Sequence, residues 1–219
     1  ALFEEHDHDD HDDHGKKDDH DDHDDHGKKD DHDDHDDHGK KDDHDDHAHG
    51  AHDPHAWLST ENAKAWLNLI AAKLSSVDPE NASTYFANAA AGRSEINELV
   101  REINQVLNPV RGRSFIVFHD AYQYFENSFE FTASGAISLG DAADPSPARV
   151  AEIQDRVRNE GVACVLAEPQ FNPGIVATVL AGTDAKTGVI DPLGFKIEPG
   201  PNLYPQLLRN MAKTLAGCL

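Results

Sequence analysis

The sequence predicts an α/β fold: a parallel-sheet lobe with surrounding helices, preceded by a long strut helix and a disordered His/Asp-rich tail. Three observations support this prediction. Residues 1–52 have no apolar face, a helical pattern extends from residue 79 to residue 107, and short apolar runs alternate with helical patterns after residue 110. Strands that alternate with helices are typical of a parallel sheet.

The amino-terminal segment is a repeat of histidine and aspartate. Its unit reads D-D-H-D-D-H-D-D-H-G-K-K, and fifteen of the sixteen histidines lie within residues 1–55. Because this segment cannot bury apolar surface to offset the entropy of ordering, we expect residues 1–52 to be disordered. Imidazole binds zinc-like ions and carboxylates concentrate cations, so the segment is interpreted as a low-affinity metal-binding region. Its metal-binding histidines are His8, His11, His14, His20, His23, His26, His32, His35, His38, His44, His47, His49 and His52.

The charge of the chain is concentrated in the same segment. Residues 1–55 hold 24 acidic residues against six lysines, so the rest of the chain carries a net charge of only −5. A solvating acidic tail is the simpler interpretation, but solvation does not require histidine at every third position. Phosphate binding needs a basic patch and none is visible, so we expect no nucleic-acid partner. No window reaches the roughly 18 apolar residues of a membrane span, so we expect no membrane insertion.

Helical spacing and apolar runs define the elements after residue 55. Ser59 or Thr60 can cap a first helix, and Pro79 lies at the start of the long helix, which ends at Asn108 because Pro109 cannot continue it. The elements expected beyond it are a strand at 114–118, a second strand at 129–137, a helix at 148–160, a strand at 163–167, a short helix at 173–180, a strand at 188–191 and a closing helix at 203–215.

Polar side chains follow three of the predicted strands. His119 and Asp120 come after the first strand, and Glu168 and Asp191 come after two later ones. Ligands of open parallel sheets bind at the carboxyl ends of the strands. A lone histidine beside a strand is more often structural, but imidazole and carboxylate together are the ligands that borderline cations prefer. The pattern therefore indicates a metal site at this edge of the sheet.

The two cysteines leave the redox compartment open. Cys164 lies in an apolar run and Cys218 is the penultimate residue. A disulfide would pin the carboxyl terminus to the core, as in oxidising compartments, whereas two unpaired cysteines fit the sequence equally well. A nucleophilic role for Cys164 beside His119 is disfavoured because Cys164 lies within a strand and not at an exposed turn. No phosphate-binding glycine loop or H-E-x-x-H pattern is present, so we expect no enzymatic activity.

Four motifs, in order along the chain, resemble one protein family. They are D-P-H-A-W-L-S from residue 53, F-H-D-A-Y-Q-Y-F from residue 118, A-E-P-Q-F from residue 167 and D-P-L-G from residue 191. Together they resemble the zinc branch of the metal-specific solute-binding proteins, which are the zinc-binding components of bacterial ABC importers. The resemblance implies two α/β lobes joined by a long rigid helix, with zinc between the lobes and a His- and Asp-rich loop before the D-P-H motif.

The resemblance also implies a set of zinc ligands. His55 and His119 match two of the family's zinc-ligating histidines. Asp191 matches an acidic position that ligates metal in manganese-type relatives, so it ranks below the histidines. Glu168 is expected to orient a ligand through a hydrogen bond.

The cysteines gain an interpretation from the same resemblance. Cys164 and Cys218 match a disulfide found in some zinc-type members, which implies a periplasmic protein.

The resemblance covers the second half of such a protein. The family's first lobe, with another ligating histidine, should precede the His-rich loop, where this chain has only five residues. His49, His52 or a separate amino-terminal fragment could supply a third ligand. The expected division is 1–52 for the metal-binding repeat, 53–78 for the remnant of the first lobe, 79–109 for the linker helix and 110–219 for the carboxyl-terminal α/β lobe.

The sequence is compatible with two functions. The first is capture of Zn(II) in the periplasm by a monomer that delivers it to the membrane permease of an ABC importer. The alternative is a low-affinity metal buffer or chaperone that acts through residues 1–52. The residues alone do not distinguish zinc from copper or nickel, because all three ions favour imidazole.

Overall fold

The computed structural model describes residues 53–138, 140 and 144–219. The expectations for residues 1–52, including disorder and the low-affinity histidines, lie outside the described residues. The described part of the chain forms four β-strands and six α-helices.

The first helix, α1, spans Thr60–Val77 and confirms the first predicted helix. Its start is set by Ser59, whose hydroxyl accepts a hydrogen bond from the backbone N–H of Asn62 at 3.1 Å. A side-chain cap of this kind satisfies a donor that has no partner within the helix. The predicted capping role of Ser59 is therefore confirmed.

The long helix, α2, spans Ala82–Leu107 and runs antiparallel to α1. Its 26 residues extend over about 39 Å. Turns of 3-10 helix at Pro79–Asn81 and Asn108–Val110 flank it, so the predicted helix is confirmed with tighter turns at both ends. Helix α1 packs along α2, where Asn68 accepts a hydrogen bond from Arg93, and α6 packs on α2 further along, where Arg209 bonds Glu102.

The sheet contains four parallel strands in the order β2-β1-β3-β4. Strand β1 spans Phe115–His119, β2 spans Ala136–Ser138, β3 spans Cys164–Ala167 and β4 spans Lys186–Val189. The two central strands, β1 and β3, are almost wholly buried, which is typical of strands covered on both faces. The predicted parallel sheet is confirmed.

Helices cover both faces of the sheet. Alternate residues of β1 point to different apolar clusters: Val117 joins the cluster beneath α2 and α6, and Ile116 joins the cluster beneath α4 and α5. The remaining helices are α3 at Gln123–Phe129, α4 at Pro147–Asn159, α5 at Pro173–Leu180 and α6 at Leu203–Cys218.

The predicted strand at 129–137 is wrong over most of its length. Residues Gln123–Phe129 form α3, and only Ala136–Ser138 pair as a strand. The aromatic residues before residue 130 are buried because they lie on the inner face of α3, which ends at Glu130 in a left-handed conformation with φ 56°. The last strand starts at Lys186, earlier than predicted, because its register is set by pairing with β3.

A disulfide joins Cys164 of β3 to Cys218 at the end of α6, with the two Cα atoms 5.6 Å apart. Gly188 of β4 lets α6 approach closely, since a Cβ atom there would lie 3.1 Å from Thr214 and 3.3 Å from the Cβ atom of Cys218. The disulfide implied by the family resemblance is confirmed. Cys164 is therefore not available as a nucleophile.

Helix α1 carries an apolar face that the described residues leave exposed. We call this face the α1 stripe; it consists of Trp66, Leu69, Ile70, Leu74 and Val77. These positions recur at helical spacing, so they lie on one side of α1. Within the described part of the chain, no helix combines the length and apolar character needed to cross a membrane.

Candidate metal centre

His119 is the last residue of β1, and its ring is buried against a carboxylate. Its Nδ1 atom lies 2.6 Å from Oε1 of Glu168, which directly follows β3. The two residues meet because β1 and β3 are adjacent parallel strands that end at the same edge of the sheet. The second oxygen of Glu168 accepts a hydrogen bond from Nε2 of Gln170 at 2.7 Å. The carboxylate that contacts the histidine is therefore itself held in place.

His55 lies in the turn before α1, and its ring is also buried against a carboxylate. Its Nδ1 atom lies 2.8 Å from Oδ1 of Asp53, which also accepts the backbone N–H of His55 at 2.8 Å. The ring centroids of His55 and His119 are 5.4 Å apart. The structure thus brings together the two histidines that the family resemblance implied as ligands, and we call them the histidine pair.

The two rings of the histidine pair have the same hydrogen-bonding arrangement. In each ring the Nδ1 atom faces a carboxylate oxygen, so Nε2 is the nitrogen that would bind an ion. Histidines that bind zinc commonly place their other ring nitrogen against a carboxylate, which fixes the tautomer and the orientation of the ring. The donor set therefore fits a zinc-like ion.

Two aromatic rings pack beside the ring of His119. The ring of Phe171 meets it edge-on, with the centroids 5.1 Å apart, and Tyr122 lies at 6.1 Å. The Tyr122 hydroxyl is buried beside the Glu168 carboxylate. Burial, together with the nearby charge of Glu168, raises the pKa of Tyr122 well above its usual value. Tyr122 therefore remains a neutral hydroxyl beside the carboxylate that contacts His119.

Asp191 lies two residues beyond the end of β4, and its carboxylate organises the loop that follows. Its Oδ1 atom accepts the backbone N–H groups of Leu193 at 3.1 Å and Gly194 at 3.0 Å, and Oδ2 accepts that of Phe195 at 2.7 Å. Among residues 53–138, 140 and 144–219, no three His, Cys, Asp or Glu side chains converge closely enough to hold an ion. A ligand role for Asp191 therefore stays a prediction.

Trp57 links the turn that carries His55 to the loop after Asp191. Its indole Nε1–H donates a hydrogen bond to the backbone oxygen of Pro192 at 2.9 Å, and its ring lies 5.3 Å from that of His55. This contact joins two segments that are far apart in the sequence, so it fixes the histidine turn against the loop that follows β4.

Replacing Trp57 with phenylalanine is expected to lower the free energy of unfolding by about 1–2 kcal/mol, because the oxygen of Pro192 loses its donor. Urea unfolding measures this change. The chain has only two tryptophans, so Trp66→Phe on the exposed α1 stripe is a matched control. Equal stability of the two variants would contradict the proposed contact.

Several residues near the pair were not assigned a role from the sequence. Asp53 stands two positions before His55 and offers a short-range signal, since an aspartate can bond the backbone two residues ahead. Gln170 and Trp57 belong to the quoted motifs, but nothing in the sequence indicates what they contact. Tyr122 is recognised only through the burial of its hydroxyl.

Comparison with known proteins identifies the family. The family model described as ZnuA, zinc-uptake complex component A periplasmic, matches residues 2–218. The high-affinity zinc uptake system protein ZnuA of Brucella abortus (strain 2308) is 47% identical over 170 residues, which is 78% of this chain and 51% of that protein. The corresponding protein of Paracoccus denitrificans (strain Pd 1222) is 45% identical over 168 residues, covering 76% and 52%. This chain spans about half the length of these relatives.

Solved structures show the same likeness. A crystal structure of ZnuA is 28% identical, with a TM-score of 0.67 over 77% of this chain and 62% of that one. The laminin-binding protein Lmb of Streptococcus agalactiae, described as a bifunctional protein with adhesin and metal transporting activity, is 30% identical with a TM-score of 0.67 over 77% and 65%. The fold, the histidine pair and the family model agree, and the chain belongs to the periplasmic zinc-uptake component A family.

Proposed function

We propose that this chain captures Zn(II) in the periplasm and delivers it to the membrane permease of an ABC importer. The observation that carries the proposal is the histidine pair: two buried imidazoles with ring centroids 5.4 Å apart, each held at Nδ1 by a carboxylate. The relatives named as high-affinity zinc uptake proteins support the same function. The role is one of binding and release, without catalysis.

The coordination of zinc requires more than the pair. Zinc in proteins usually takes four ligands, so two imidazoles leave two positions to fill. Asp191 is a candidate within the described residues, and a water molecule could take a further position. A third histidine could come from His49 or His52, or from the half of the relatives that this chain does not match. In this proposal residues 53–78 complete a first lobe, 79–109 link the lobes and 110–219 form the second lobe.

The proposed compartment is the periplasm. The disulfide between Cys164 and Cys218 supports it, because disulfides persist in oxidising compartments and are rare in reducing ones. The description of the matching family as periplasmic supports it as well. We propose that the protein works there as a monomer whose partners are the zinc ion and the permease.

A chelator-competition zinc titration tests the proposal. The full chain is titrated against a chelator strong enough to strip the repeat of residues 1–52, beside the variant in which both members of the histidine pair are alanine. We expect one tight equivalent in the native chain. Its affinity should fall in the variant by more than the roughly 100-fold that loss of a residue supporting a ligand can cost.

A second double variant provides the matched control. Changing His32 and His35 to alanine removes two imidazoles from the repeat and leaves the histidine pair intact. The tight equivalent should survive this change. If it survived loss of the pair instead, and disappeared with changes in the repeat, the capture site would lie in the repeat and the protein would act as a metal buffer.

A further inference from the structure

The turn that carries His55 is fixed from several directions. Oδ1 of Asp53 lies 2.8 Å from both the backbone nitrogen and the Nδ1 atom of His55. Pro54 stands between them; its ring locks its own φ and restricts Asp53 to an extended conformation. The backbone oxygen of Asp53 accepts a hydrogen bond from the Tyr124 hydroxyl at 3.4 Å. The Asp53-Pro54-His55 segment therefore has little conformational freedom, and it holds the imidazole ring in one orientation.

We propose that Asp53 is a positioning residue for zinc capture by His55. Its carboxylate accepts a hydrogen bond from Nδ1–H, which places the lone pair of the neutral ring on Nε2 and sets the direction in which that atom points. Free histidine favours the opposite tautomer, with the proton on Nε2. Asp53 thus prepares the ring for an ion before the ion arrives. The inference rests on the proposed function, which it deepens at the same site.

The Glu168–His119 contact supports this role because it repeats the arrangement on the other ring. There the carboxylate comes from a neighbouring strand and lies 2.6 Å from Nδ1. Two histidines from unrelated parts of the chain, 5.4 Å apart, thus have the same nitrogen against a carboxylate. A merely structural aspartate would require only the bond to the backbone of His55, whereas Asp53 Oδ1 also contacts the ring nitrogen.

The two carboxylates differ in a way that makes Asp53 the better one to change. The Glu168 side chain is fully buried, whereas 18% of the Asp53 side chain is exposed. Substitution of Asp53 therefore leaves no cavity in the core. Asparagine retains an oxygen that can accept from Nδ1–H and from the backbone, but carries no charge. Alanine removes both bonds.

The test reads the tautomer and the zinc affinity of the full chain separately. Nitrogen-15 NMR of the zinc-free protein, at a pH where histidine is neutral, reports which ring nitrogen carries the proton. A His55→Ala difference spectrum assigns the signal among the sixteen histidines. We expect the proton on Nδ1 in the native chain and in Asp53→Asn, and on Nε2 in Asp53→Ala. Zinc affinity should fall about 10- to 100-fold in Asp53→Ala and less in Asp53→Asn.

Asp184→Ala provides the control, since Asp184 is exposed in the loop before β4, away from the histidine pair. It should change neither the tautomer nor the affinity. A native His55 protonated on Nε2, or an Asp53→Ala variant with native zinc affinity, would overturn the positioning role. A tautomer that switches as expected in a chain without a tight zinc equivalent would show that Asp53 sets the tautomer of His55 but would contradict the proposed function.

Discussion

Replacing Cys164 and Cys218 together with alanine is expected to lower the free energy of unfolding by about 4 kcal/mol. The disulfide spans a sequence separation of 54, and closing a loop of that length removes about 4 kcal/mol of chain entropy from the unfolded state. Both residues are buried, so alanine is preferred to serine because it adds no polar group to the core. Urea unfolding of the oxidised native chain and the double variant measures the difference.

A reducing agent supplies the control for this experiment. It should destabilise the native chain by a similar amount and leave the double variant unchanged. A loss of less than about 1 kcal/mol in both cases would show that α6 is held on the sheet by its packing and not by the bridge. The leucines that α6 buries, Leu207, Leu208 and Leu215, would then account for the attachment.

The second large effect is expected from Glu126→Gln in α3. Burial, opposed by a hydrogen bond from the backbone N–H of Ala133 and reinforced by the charge of Asp120, raises the pKa of Glu126 from 4.5 to about 7. The folded protein therefore holds this proton more tightly than the unfolded chain does. Below pH 4.5 both states are protonated and the carboxyl group carries no penalty. Between pH 4.5 and about 7 the stability of the native chain falls, because only the unfolded chain releases the proton there, and the full penalty is reached once the folded state ionises as well.

The variant should therefore gain stability over the native chain as the pH rises. Since a pKa difference of one corresponds to about 1.4 kcal/mol, the gain reaches at most about 3 kcal/mol above pH 7. Glutamine keeps an acceptor for the Ala133 N–H, which lies 3.1 Å from Oε1 of Glu126. Urea unfolding at a series of pH values checks this expectation, with Glu80→Gln on an exposed turn as the control. Parallel stability curves for the native chain and Glu126→Gln would contradict it.

The sequence predicted the central part of the sheet because its signals are strong there. The run before His119 is continuous and apolar, and Cys164 opens a similar run. Strands buried on both faces have this composition, and their polar successors lie at one edge. The contact between His119 and Glu168 follows directly from that geometry.

The sequence was less informative where local signals are weak. Helix α3 has only seven residues, too few for a helical period to be distinguished from an aromatic-rich strand. Strand β4 lies at the edge of the sheet and is largely exposed, so it lacks an apolar alternation, and only pairing with β3 defines its limits. Register of this kind is a property of two segments and cannot be read from one.

In the candidate site, too, some features were predictable from the sequence and others were not. His119 and the strand-end carboxylates could be named from their residue types and positions, whereas His55 was identified only through the family resemblance of its motif. The contact of Asp53 with a particular ring nitrogen depends on the conformation of the turn, and the three N–H groups bound by Asp191 depend on the loop after β4. Side-chain orientation requires the folded backbone, because the same sequence spacing is compatible with several turns.

Helix α1 is connected directly to the turn that carries His55. That turn lies at the start of α1, and the α1 stripe continues along the helix as far as Val77. The same turn is joined to the loop after β4 by the hydrogen bond from Trp57 to Pro192. Any displacement of α1 relative to the sheet would therefore strain this hydrogen bond beside His55.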